Sequence, residues 1–124
     1  MSDFKQLQVW QRAHALTLAV YHATNAFPRE EAYGLTGQIR RSAASVPANI
    51  AEGCGRGSNA ELARFLRNPL GSSNELEYHL LLAHDLQLLS PQDHNRLLPE
   101  LVEVRRMLTG LIQSLTRTQS RKAS

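Results

Sequence analysis

The stretch Asn49 to Glu61, "NIAEGCGRGSNAE", sets Gly53, Gly55 and Gly57 at alternate positions around Cys54 and Arg56. Backbone amides in such a loop, helped by one arginine, could cradle a phosphate. That chemistry needs a frame which this stretch lacks. A nucleotide-hydrolase loop ends in Gly-Lys-Ser/Thr at the start of a helix, and a dinucleotide-binding turn reads Gly-x-Gly-x-x-Gly after a strand. Neither pattern occurs. The spacing suits a joint in which one helix ends on a residue free to turn left-handed and the next begins at a cap. Arg56, beside the amides of a helix start, remains a candidate anion contact.

Metal and acid-base chemistry are no better served. His79 and His84 share a segment with Glu75, Glu77 and Asp85, but a di-iron bundle needs Glu-x-x-His on two helices. Glu75 and His79 are four apart and His79 and His84 five apart, so surface or hydrogen-bonded histidines are expected and no metal. Cys54 has no His near it in sequence and reads as a small buried residue. Asn49 and Glu52 lie beside Pro47, where hydrogen bonding to freed backbone or to Arg56 accounts for them. The expectation is a protein with no catalytic residues and no cofactor.

Arginine offers more. Twelve of the fourteen basic residues are Arg, against eleven acids, for a net charge of +3. The planar guanidinium suits phosphate and also interface ion pairs. Arg40, Arg41, Arg56, Arg64 and Arg67 read as a group around the joint between the second and third helices, and are the candidate nucleic-acid contacts. A second basic region holds Arg105, Arg106, Arg117, Arg121 and Lys122. The competing reading is a solvated face, since Glu30, Glu31, Glu52, Glu61, Glu100 and Glu103 are interleaved and can pair locally. With only seven aromatic residues, any binding would rest on phosphates and tolerate sequence.

Four amphipathic helices must position these groups. Val9, Ala13, Leu16, Val20, Ala23 and Phe27 alternate steps of four and three, which predicts a first helix between Phe4 and Phe27 capped by Asp3. Leu35, Ile39, Ala43, Val46, Ile50 and Cys54 form a second stripe, kinked at Pro47, with Ser42, Ser45 and Asn49 placed to satisfy the freed backbone. Ser58 with Glu61 opens a third helix that Pro69 kinks or restarts. "SPQD", Ser90 to Asp93, opens a fourth, whose seam of Leu97, Leu101, Val104, Leu108, Leu111 and Leu115 continues past Pro99. No strand pattern competes. The fold class expected is all-α: an antiparallel up-down-up-down four-helix bundle over residues 1–116, with 117–124 a basic, disordered tail.

With 124 residues there is one core and no room for a separate catalytic domain. No apolar run approaches the roughly 20 residues that cross a bilayer. The start "MSDFKQLQVW" has no signal-peptide pattern and the chain has one cysteine, so a cytoplasmic protein without a membrane partner is expected.

"FKQLQVWQRAHALTLAVYHAT", "FPREEAYGLTGQIRRSAASVPANIAEGCGRGSNAELARFL" and "GSSNELEYHLLLAHDL" resemble the four-helix-bundle family encoded by intervening sequences in bacterial 23S ribosomal RNA genes. The most specific pieces are Tyr33-Gly34-Leu35, Gln38 to Arg41, the block Ser45 to Gly53, and Gly71-Ser72 with Glu75 and Glu77. The run Asn68-Pro69-Leu70 departs from the smoother helical run usual in that family. The resemblance implies a homopentamer, similar also to the accessory protein of diversity-generating retroelements, a basic pentamer that binds nucleic acid and a reverse transcriptase. Leu18, Leu98 and Ile112, lying beside the main seams, fit such an oligomer. Five copies would sum the modest charge to about +15 around one axis, enough to hold RNA or DNA without sequence preference. The alternative is a scaffold whose partner is another protein.

Overall fold

A computed structural model of the chain describes the backbone of residues 3–123 and the side chains of residues 3–117. Among them are five α-helices and no strand: α1 Gln8–Thr24, α2 Leu35–Cys54, α3 Asn59–Phe65, α4 Arg67–Asp85 and α5 Pro91–Ala123. α3 and α4 together make the expected third helix. Pro69, in the first turn of α4, has no amide for the Phe65 carbonyl, and the helix restarts at Arg67. Pro69 itself is buried.

Packing runs around a ring in chain order, α1 on α2, α2 on α4, α4 on α5 and α5 on α1, while α3 packs on α5 and α2. The backbones of the diagonal pairs α1/α4 and α2/α5 do not approach one another closely, as in an antiparallel four-helix bundle. The predicted stripes fill the interior: Val20, Ile39, Ile50, Leu76, Leu101 and Leu108 are fully buried.

Both predicted serine caps form. Ser58 Oγ accepts from the Glu61 amide at 3.1 Å, and Ser90 Oγ from the Asp93 amide at 3.0 Å. The N-terminus differs from expectation. Asp3 caps a 3₁₀ turn, Phe4–Gln6, and extended Leu7 separates that turn from α1. The fourth helix also runs further than its seam, to Ala123, because no Pro or Gly follows Gly110 to stop it.

The opening glycines turn out to have separate structural uses. Gly53 lies inside α2, where a Cβ would sit 3.1 Å from Leu62 Cδ1 and 3.4 Å from Phe65 Cδ1, so its small size lets α3 approach. Gly57 holds φ +92° and reverses the chain before the Ser58 cap. The α4–α5 turn uses Gln87 at φ 63°. There the Gln87 amide donates to the His84 carbonyl and the Leu88 amide to the Ala83 carbonyl, closing a Schellman turn.

Pro47 lies inside α2 without ending it, and the Ala43 carbonyl that it frees is met from α1. Thr17 Oγ1 of α1 lies 3.1 Å from Ala43 O and 2.9 Å from Ala13 O. Ser42, Ser45 and Asn49 instead bond back to Gln38 O, Ser42 O and Ser45 O within α2.

Candidate functional site

The five candidate arginines fall into two groups. Arg40 and Arg41 sit in the first two turns of α2, fourteen and thirteen residues before its end at Cys54, or about 20 Å at the helical rise of about 1.5 Å per residue. Arg56, Arg64 and Arg67 surround the junction of α2, α3 and α4. The single group expected from sequence is therefore divided by most of the length of α2.

Their surroundings differ as well. Arg40 is held against α1: Nε donates to Thr24 Oγ1 at 2.8 Å, one Nη donates to Asn25 Oδ1 at 3.1 Å, and the guanidinium lies 4.7 Å from the Tyr21 ring centre. It fastens the start of α2 to the end of α1. Arg56 stacks 4.5 Å over Phe65 and stands 3.9 Å from Glu52. Arg64 pairs with Glu61 at 2.9 Å. Arg41 and Arg67 are exposed, and among the described residues neither has a carboxylate within ion-pair distance.

In the second basic region Arg105 bridges α5 to Glu77 and Asn74 of α4. Arg106 grips Glu103 through Nε at 2.6 Å, a contact that holds this carboxyl below its usual range. Arg117 is exposed; the side chains of Arg121 and Lys122 lie outside the described residues.

The histidine-carboxylate segment does not converge on one point. His79 Nδ1 faces Ser42 Oγ of α2 at 3.3 Å, while His84 stacks on His94 of α5 with ring centres 4.4 Å apart and has Asp85 at 3.5 Å. Among the described residues no group of three or more His, Cys, Asp or Glu side chains could hold a metal ion. Cys54 is buried, and desolvation pushes its thiol above the ordinary range, which disfavours the reactive thiolate.

Two apolar surfaces stand outside the core. Tyr78 and Leu81 of α4, 59% and 47% exposed, join half-buried Leu98 of α5 in a groove of about 330 Å³, lined also by Asn74, Glu77 and His94. Val102, 45% exposed, lies one turn beyond Leu98 on α5. On α1, Leu18 is 51% and Tyr21 42% exposed. Leu18 and Leu98 stood out in the sequence as apolar residues beside the seams; Tyr78 and Leu81 did not, because each falls between core positions of an otherwise ordinary helix. Among the described residues no helix is long and apolar enough to cross a membrane.

Residues 5–110 match the family described as 23S rRNA-intervening sequence protein. Among solved structures, a protein of unknown function from the S23 ribosomal protein family of Bacteroides thetaiotaomicron VPI-5482 is similar. It is 23% identical, with a TM-score of 0.77 over 84% of this chain and 97% of that one. That likeness supports the fold. Among curated proteins none matches.

Proposed function

This chain belongs to the 23S rRNA-intervening sequence protein family, and from that premise we propose that it works as a non-enzymatic homo-oligomer, a pentamer as the family resemblance implies. The observation that carries this reading is the apolar surface left on a bundle whose core is already complete. Tyr78, Leu81 and Val102 stand about half exposed while Ile39, Leu76, Leu101 and Leu108 are fully buried. Tyr78 and Leu81, exposed in one groove beside Leu98, support an interaction surface there.

The role proposed for the assembled protein is to hold RNA or DNA by its phosphates. It is supported by Arg41 and Arg67, exposed cations without an acidic partner among the described residues. Repetition around an axis multiplies their potential. Arg56 and Arg64 contribute less, being already beside Glu52 and Glu61, and Arg40 acts as a helix fastener. Gel shifts with duplex DNA, single strands and structured RNA across a salt series test this. Binding should weaken steeply with salt and vary little with sequence, and replacing Arg41 or Arg67 by Ala should lower the salt slope by about one each. No retardation at low salt by an intact oligomer would end the nucleic-acid reading and leave the protein scaffold, which the same apolar groove would serve.

A further inference from the structure

Resting on the reading of this protein as a nucleic-acid binder, we propose that the outer face of α1 is a track for a single strand, whose bases stack on His14 and Tyr21. Trp10, His14, Leu18 and Tyr21 follow at steps of four, four and three along α1, which sets them on one face about 16 Å long. The core stripe Val9, Ala13, Leu16 and Val20 is buried on a different side of the helix. Trp10 is half-buried between Phe4, edge-on, and His14, parallel within 8°, with ring centres 5.0 Å away in both cases. Exposed His14 carries that stack to the surface. Leu18 and Tyr21 are 51% and 42% exposed, and the Arg40 guanidinium lies 4.7 Å from the Tyr21 ring centre. Three of the seven aromatic residues, Phe4, Trp10 and Tyr21, thus gather on one side of the bundle, which sequence alone did not reveal.

Charge selects the occupant. From Phe4 to Arg29 the chain has no acidic residue. Lys5, 5.9 Å from the Phe4 ring centre, stands at one end of the face and Arg40 at the other. At the Lys5 end, Asp3 accepts from the Lys5 amide as the cap of the first turn. The hydrogen bonds of Arg40 go to Thr24 Oγ1, Asn25 Oδ1 and the Tyr21 carbonyl, all uncharged, so this helix fastener keeps its positive charge. Arg12 is turned to α5, where Glu100 pairs with it, and Glu52, the one acid of α2, faces Arg56. Exposed rings, cations at both ends and no acid between them suit a polyanion whose bases are free to stack, as in a single strand. A second copy on the same face would bring like charges together.

Titration of the full-length protein with a labelled oligothymidylate and with a labelled duplex of the same length tests the inference. The wild type should hold the single strand more tightly, and the emission of Trp10, the one tryptophan, should change as bases stack on His14. His14→Ala and Tyr21→Leu alter exposed side chains, so helical circular dichroism should be unchanged. Each should weaken single-strand binding about tenfold. Duplex binding and the salt slope should stay as they are, since neither change removes a lysine or arginine. A wild type that prefers the duplex, variants that bind the single strand as tightly as it does, or Trp10 emission unmoved at saturating oligothymidylate would each overturn the track while leaving phosphate contact standing. A fall in the mass of either variant by light scattering would also overturn it, placing a second copy on this face. Failure of the wild type to bind either probe would instead remove the nucleic-acid reading itself.

Discussion

Thr17→Val probes how a proline is accommodated in the middle of α2. Pro47 has no amide to give the Ala43 carbonyl, and Thr17 Oγ1, 3.1 Å away and on a residue only 8% exposed, is its donor from α1. Valine keeps the shape and removes the hydroxyl, so a buried carbonyl is left without a partner at a cost of about 1–3 kcal/mol. The hydroxyl is shared with Ala13 O at 2.9 Å, which moves the expectation to the lower half, about 1–2 kcal/mol. In a Pro47→Ala background, residue 47 regains its amide and can serve Ala43 itself. Thr17→Val should then cost only a few tenths of a kcal/mol, giving a coupling energy of about 1 kcal/mol or more across the cycle. Urea unfolding of the four proteins at one fixed concentration measures this, because oligomer stability depends on concentration. Equal costs of Thr17→Val in both backgrounds would refute the assignment of Thr17 to the freed carbonyl.

Three further changes follow from local geometry. Gln87→Gly should stabilise by about 0.5–1 kcal/mol in thermal unfolding, since φ 63° strains a residue that has a Cβ. Gly53→Ala should destabilise by about 1 kcal/mol despite alanine's higher helix propensity, because the new methyl meets fully buried Leu62 at 3.1 Å. Cys54, buried with its thiol raised by desolvation, should react slowly with a thiol reagent until denaturant is added. Its contribution to stability should be whole below the ordinary thiol range and decline as pH rises beyond it, the unfolded chain losing its proton first.

The helices were legible because four-three spacing records which face meets the core, and Ser58 and Ser90 cap as their neighbours Glu61 and Asp93 suggested. Thr17 as partner of Pro47 was not legible: it comes from another helix, 26 residues away, and local Ser and Asn offered a nearer solution. Gln87 gave no turn signal, since its left-handed conformation is imposed by the Schellman hydrogen bonds and not by its side chain. The arginines looked like one group because sequence nearness ignores helical rise, and Arg40's bonds to Thr24 and Asn25 depend on how α1 and α2 cross. The groove arises only when α4 and α5 pack, which brings Tyr78 and Leu81 beside Leu98.

Self-assembly is the central claim, and the native mass of the untagged protein at micromolar concentration addresses it most directly. Light scattering should return a single species at a multiple of 13.9 kDa, fivefold for the pentamer, unchanged on moderate dilution. A mass of 13.9 kDa for the correctly helical protein would contradict it.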